Sequence, residues 1–227
     1  MQKIVAILQA RLDSYRLPNK VILPLKGKKD AIDIILTKLK KIKFINEIYL
    51  ATGNYKINKI FEKKIKKFNI KFFFGDNENV RSRFVKIIKI SKADIGIRLT
   101  ADNPFTEMKY LKYLTKYLIS NKNCNYVKFD ERTLPFGSGV EVFRSKAFMK
   151  YLNINSSKEA LEHVLLHLKK FKKRYKVLKV PKELSVLPVR VTLDYKEDLK
   201  FLRYALSKTK RNSIFELNKF FNNNYFN

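Results

Sequence analysis

The stretch KIVAILQARLDSYRLPNK, Lys3 to Lys20, decides the fold. Its first eight residues, Lys3 to Ala10, are almost wholly apolar and rich in Ile and Val. A short run of that kind reads as a strand covered on both faces, the signature of a parallel sheet. The residues that follow, Arg11 to Lys20, are polar and basic. They set Arg11, Arg16 and Lys20 close together at the strand's carboxyl end. Open α/β sheets hold ligands in the crevice outside that end. Arginine grips phosphate oxygens with a planar fork, and lysine adds a point charge. The same loop also reads as an ordinary crossing whose charges are solvated, as isolated basic loops often are.

The chain beyond repeats the strand-and-helix rhythm. Asp30 to Lys43 has helical period, with Ile32, Ile35, Leu36, Leu39 and Ile42 on one face. Glu47–Ala51 reads as a second strand, and Ile57, Ile60, Phe61, Ile65 and Phe68 as the stripe of the next helix. Ile70–Phe74 is a third strand, Val80, Phe84, Ile87 and Ile88 mark a third helix, and Asp94–Thr100 is a fourth strand. Alternation of this kind means a parallel sheet joined by crossover helices.

After residue 105 the rhythm loosens. Helices are expected over Glu107–Ser120, Ser157–Lys173, Lys196–Ser207 and Ser213–Phe221. Strands are expected over Asn125–Phe129, Val140–Phe143, Tyr175–Val180 and Val189–Leu193, with a loop at Thr133–Gly139. The tail Asn222–Asn227 is expected to fray. Residues 1–227 read as one domain, in which 130–175 could form an inserted arm or a dimer contact.

With 45% hydrophobic residues, the 227-residue chain can bury a sizeable core. Its formal charge is +30. That suits a nucleic-acid or anionic-surface binder. Against this, the lysines are spread over amphipathic segments, as in Lys38, Lys40, Lys41 and Lys43, rather than gathered in one tract. A solvated surface that also favours phosphate-rich ligands is the reading that follows. The single cysteine, Cys124, excludes an intramolecular disulfide framework and a cysteine-built metal site, which suits the cytoplasm. Met1 onward forms a strand rather than a leader, so no signal peptide is expected. No apolar run approaches spanning length, so no membrane insertion is expected.

Two further stretches carry chemistry. Arg98-Leu99-Thr100-Ala101-Asp102-Asn103-Pro104-Phe105 ends the fourth strand with a carboxylate facing the same crevice as the Arg11–Lys20 loop. Asp102 there can hold a divalent metal on phosphate oxygens, or form an Asx turn before Pro104. In Val189-Arg190-Val191-Thr192-Leu193-Asp194-Tyr195-Lys196-Glu197-Asp198-Leu199, Asp194 can N-cap a helix with Glu197 completing a capping box.

Residues 4–25, IVAILQARLDSYRLPNKVILPL, resemble the opening of the spore coat polysaccharide (SpsF-like) cytidylyltransferases, relatives of the enzymes that make CMP-activated 2-keto-3-deoxy sugars and sialic acids. The family pattern is I-x-Q-A-R-x-G-S-x-R-L-P-G-K-x-L-x-P-L. Asp13 and Asn19 replace its two glycines, and Asn tolerates a left-handed backbone. Arg98–Pro104 resembles R-x-T-G-D-x-P with Ala101 for Gly, and Arg190–Leu199 resembles R-x-T-V-D-x-x-E-D-L. Gly75–Arg83, Arg132–Phe143 and Glu162-His163-Val164 resemble three smaller motifs of the family, so the likeness spans about residues 2 to 207.

The resemblance implies an α/β, Rossmann-like nucleotide-diphospho-sugar transferase fold, with a mostly parallel central sheet flanked by helices. It implies a Mg2+-dependent cytidylyltransferase of surface polysaccharide biosynthesis. CMP would pass from CTP to an anionic sugar-type acceptor, either a 2-keto sugar acid or a phosphorylated compound, and pyrophosphate would leave. Gln9, Ala10, Arg11, Ser14, Arg16, Lys20, Arg83, Thr100 and Asp102 would bind the nucleotide. Asp102 and Asp194 would hold magnesium and, with Arg11 and Lys20, carry the chemistry. Arg98, Gly139, Glu141 and His163 would line the acceptor side, and the protein would be a homodimer that binds no nucleic acid. Three alternatives stand beside this: a glycosyltransferase using a nucleotide-sugar, a basic nucleic-acid-binding protein, and a family member that has lost catalysis. The first usually needs an Asp-x-Asp pair, and the region holds only Asp102-Asn103-Pro104.

Overall fold

The computed structural model describes residues 2–152 and 157–225. Among them, seven strands form one central sheet: β1 (Ile4–Gln9), β2 (Glu47–Thr52), β3 (Lys71–Phe74), β4 (Ile95–Thr100), β5 (Tyr126–Phe129), β6 (Glu141–Arg144) and β7 (Tyr175–Leu178). Their order across the sheet is β3-β2-β1-β4-β6-β5-β7. Only β6 runs against its neighbours; every other pairing is parallel. Val5, Ala6, Ile7 and Leu8 are wholly buried. Apolar clusters cover both faces of β1, as expected of a central parallel strand.

Helices flank the sheet: α1 (Ala31–Leu39), α2 (Tyr55–Asn58), α3 (Ile60–Lys66), α4 (Val80–Ser91), α5 (Met108–Ser120), α6 (Ser145–Lys150), α7 (Lys158–Glu162), α8 (Lys196–Ser207) and α9 (Ile214–Tyr225). Helix α1 begins where the sequence says it should, with Asp30 accepting from the Asp33 backbone N–H at 2.9 Å. The order reverses between β1, which leads outward to β2 and β3, and β4 on its other side. That switch opens a crevice at the carboxyl ends of β1 and β4.

Several expected elements differ. The helix carrying Ile57 to Phe68 is divided at Lys59 into α2 and α3. The long helix expected over 157–173 stops at Glu162, and a short 3-10 turn covers Leu166–Lys170. The break lets His167 turn inward, its Nε2 reaching the Phe148 carbonyl oxygen at 3.2 Å, while Val164, Leu165 and Leu168 stay buried. Tertiary burial here overrides helix propensity. The tail expected to fray continues α9 as far as Tyr225, and Phe226 and Asn227 lie outside the described residues. Within the 130–175 stretch, Glu141–Arg144 enters the central sheet between β4 and β5.

The expected strand over 189–193 is extended chain crossing above the sheet edge rather than lying in the sheet. Val191 donates to the Phe136 carbonyl and Leu193 to the Asp102 carbonyl, each at 2.8 Å. Gly137, at φ +95°, permits this crossing, since a Cβ there would meet the Thr192 backbone nitrogen at 2.8 Å.

Lys38 on α1 ties the Asp102 loop to the C-terminal region from beneath. Its ammonium donates to the carbonyls of Pro104 and Thr106 at 2.8 Å and of Asn212 at 3.1 Å. Burial pushes this ammonium down to about 8. Lys38→Met keeps the stem but leaves three carbonyls without that donor. We expect a loss of about 1–2 kcal/mol, or roughly 3–6 °C in Tm by calorimetry. An unchanged Tm means that water replaces the ammonium without cost.

Candidate active site

The crevice is a cavity of about 500 Å³ at the carboxyl edge of β1 and β4. Three chain segments supply the charges at its centre. The first is the loop after β1. Asn19 adopts φ 60°, ψ 13° and starts a 3-10 turn over Lys20–Ile22, so the residue replacing a glycine takes a left-handed backbone. This turn aims the Lys20 side chain, only 8% exposed, back toward the sheet. Asp13 has an ordinary negative φ, is exposed, and is not among the residues lining the cavity.

The second segment is the end of β4. Asp102 follows a turn in which the Ala101 N–H donates to the Gln9 carbonyl at 2.9 Å, binding the two strand ends together. Asn103 Nδ2 donates to Thr100 Oγ1 at 2.7 Å. The third segment is the crossing chain, which delivers Asp194 beside Asp102. The expected capping box is displaced by one residue: Asp198, not Asp194 with Glu197, caps α8. Its Oδ2 accepts the backbone N–H groups of Asp194 at 2.8 Å and Tyr195 at 3.0 Å. The Asp194 carboxylate is thereby left for the crevice.

The centre of the site is an ion cluster. Lys20 Nζ donates to Asp102 Oδ2 at 2.7 Å and to Asp194 Oδ1 at 2.8 Å. Arg16 donates to the same Asp194 oxygen at 2.6 Å, and Arg190 to Asp194 Oδ2 at 2.9 Å. Burial pushes the Asp194 carboxyl up, but hydrogen bonds from Lys20 and Arg16 prevail and hold it at about 2. Arg190 is fixed in turn by Asp198, at 2.8 Å, and lies over the Phe136 ring. Arg11 stands at the rim, 3.9 Å from Glu162 and 45% exposed.

On the far side, Arg98 pairs with Glu141, which also accepts from the Tyr126 hydroxyl. Lys128 pairs with Glu131 at 2.6 Å. Phe129, Leu134, Phe136 and Val140 add an apolar wall, and the exposed His163 stands at the mouth beside Glu162.

Of the residues the sequence assigned, Gln9, Ala10, Arg11, Ser14, Arg16 and Lys20 line the cavity, as do Arg98, Thr100, Asp102, Gly139, Glu141, His163 and Asp194. Arg83 does not. It is buried under the turn after β3, donating to the carbonyls of Asp76 at 2.7 Å and Asn77 at 2.8 Å, and burial pushes its guanidinium down to about 10. Its role is to hold that turn. Arg190 and Asp198 lie within the third motif, but the motif assigns neither of them a task. Their eight-residue spacing across a crossing chain and a helix cap leaves no periodic signal.

Two carboxylates converging on one cation offer hard oxygen donors to a small divalent ion, with phosphate oxygens and water completing its shell. Among the described residues there is no cluster of three or more metal-binding side chains.

A doubly wound sheet with cations and paired carboxylates at its topological switch point defines a phosphate-handling enzyme of the nucleotidyltransferase class. The chain belongs to the cytidylyltransferase family, whose sequence model matches residues 5–212. It is 29% identical over 216 residues to the spore coat polysaccharide biosynthesis protein SpsF of Bacillus subtilis, covering 92% of this chain and 88% of that protein. It is 32% identical over 200 residues to an uncharacterized protein of Methanocaldococcus jannaschii, covering 87% and 81%. A solved cytidylyltransferase from Leptospira borgpetersenii superposes with a TM-score of 0.88 at 25% identity, over 99% of this chain and 95% of that one. CMP:2-keto-3-deoxy-manno-octonic acid synthetase, solved with CTP, shares the fold with a TM-score of 0.71 at 17% identity, over 90% and 98%. Among the described residues no helix is long and apolar enough to cross a membrane.

Proposed function

We propose that the protein transfers CMP from CTP to an anionic sugar-type acceptor, in surface polysaccharide biosynthesis, with magnesium as cofactor. The observation that carries this reading is the single Lys20 ammonium gripping both Asp102 and Asp194 beside Arg11 and Arg16. Arg11, Arg16 and Lys20 bind phosphate oxygens of the nucleotide. Gln9, Ala10, Ser14 and Thr100 line its seat. Asp102 and Asp194 would hold the magnesium ion, which when bound would neutralise phosphate charge and raise the electrophilicity of the α-phosphorus. The acceptor oxygen attacks that phosphorus, the bond to the β-phosphate oxygen breaks, and pyrophosphate leaves. Positioning and charge neutralisation supply most of the rate.

The acceptor lies against Arg98, Gly139, Glu141 and His163, with the apolar wall behind it. The cationic field of the protein favours an anionic acceptor such as a 2-keto sugar acid or a sugar phosphate. The enzyme works as a cytoplasmic homodimer, in line with the reducing environment its single thiol suits.

Calorimetric titration with CTP, UTP, ATP and GTP, each with and without Mg2+, tests the nucleotide half. Selective, Mg2+-dependent CTP binding is expected. Equal weak binding of all four that disappears with salt refutes the reading, because charge alone then explains it.

A further inference from the structure

Each candidate phosphate ligand at the centre of the site is already paired with a candidate metal ligand. Lys20 spends its ammonium on both carboxylates, and Arg16 spends its guanidinium on Asp194 Oδ1. Arg190 differs: it holds the other oxygen, Oδ2, and two bonds to Asp198 anchor it in place. Competition between Lys20 and an incoming cation therefore centres on Asp102 Oδ2 and Asp194 Oδ1. A divalent cation arriving alone must strip Lys20 from both oxygens and leave its ammonium, in a side chain only 8% exposed, beside a second positive charge. A triphosphate arriving alone must draw Lys20 and Arg16 away and face two bared carboxylates. Each ligand by itself meets like charge in a confined site, which is costly. Together they cancel both penalties, since the cation takes the carboxylates as the phosphates take Lys20 and Arg16.

We propose that Lys20, by bridging Asp102 and Asp194, holds the two carboxylates closed against a divalent cation that arrives without the triphosphate. The proposal rests on the metal-dependent reading above and adds to it a thermodynamic coupling: metal and triphosphate each raise the affinity for the other, reciprocally.

The test is calorimetric binding to the full-length protein, with Mn2+ as the metal probe, and needs no turnover. Three titrants are compared: Mn2+ alone, CTP in EDTA, and preformed Mn–CTP. For the wild type, Mn–CTP is expected to bind at least about tenfold more tightly than CTP in EDTA, with Mn2+ alone weaker still. In Lys20→Gln the carboxylates are released, so Mn2+ alone is expected to bind at least about tenfold more tightly than to the wild type. The advantage of Mn–CTP over CTP is expected to shrink with it. Lys20→Met serves as a second variant should the first fail to fold. Mn2+ affinity within about twofold of the wild type in a folded Lys20 variant overturns the proposal, as does wild-type binding of Mn2+ alone as tight as Mn–CTP. The underlying reading fails separately: Asp102→Asn that keeps the full Mn–CTP advantage removes the metal assignment itself, whatever Lys20 does.

Discussion

Asp102→Ala and Asp194→Ala are each expected to lower kcat/KM for pyrophosphate release by at least about 10³-fold, equivalent to ~4 kcal/mol of transition-state stabilisation. Both variants are expected to remain folded. The cations that Asp194 releases do not become buried orphans: Arg16 is 51% exposed and turns to water, Arg190 keeps its bonds to Asp198, and Lys20 keeps Asp102. Asp194→Asn adds a pH test. The wild-type carboxyl sits at about 2 in the fold, below the unfolded value of about 3.9. A carboxyl depressed by folding stabilises the protein above the unfolded value and loses that contribution as pH falls through the folded one. The wild type should therefore melt above Asp194→Asn at pH 5, and the gap should narrow between about pH 4 and pH 2. Full activity in either alanine variant removes the metal-site assignment. A gap that does not depend on pH shows that the Asp194 ion pairs do not act through its charge.

The sheet was legible because its strands announce themselves: Val5 to Leu8 is an unbroken apolar run, and Ile95, Ile97 and Leu99 are buried apolar residues in a second short segment, as in the strands of a covered parallel sheet. Half the site was legible for a related reason. Arg11 to Lys20 and Asp102 follow directly on those strands, and strand ends at a topological switch point face one crevice. The left-handed turn at Asn19 could also be anticipated from the residue type. Asp194 was harder. It reaches the crevice on extended chain whose hydrogen bonds go to the loop carbonyls of Phe136 and Asp102, contacts that no periodicity records. The alternation in 189–193 therefore suggested a sheet strand that does not exist. Arg83 misled in the other direction, because a motif match says nothing about which carbonyls a guanidinium will find once its helix packs. The break after Glu162 was hidden because Leu161, Glu162, Leu165 and Leu166 on either side of it favour helix locally.

Glu141→Ala is expected to cause the largest loss of stability. Arg98 and Glu141 stand directly opposite one another in the β4–β6 pairing, and their side chains are 19% and 22% exposed. Burial pushes the Glu141 carboxyl up, but the Arg98 charge and the Tyr126 hydroxyl prevail and hold it below its usual range. Arg98 Nε is buried without a partner of its own, so this guanidinium depends on Glu141. Truncating Glu141 strands a charge between strands in the middle of the sheet. A fully buried pair broken in this way costs ~3–5 kcal/mol. With a fifth of each side chain still in contact with water, about 2–3 kcal/mol is expected, or roughly 5–10 °C in Tm for a chain of this size. The double variant Arg98→Met/Glu141→Leu separates two causes. Removing both charges replaces the pair with apolar volume, and most of the Tm should return. If the double variant melts as low as Glu141→Ala, the loss comes from packing rather than from the stranded charge. If Glu141→Ala melts within about 1 °C of the wild type, water reaches Arg98 freely, and the pair adds little to the stability of the sheet.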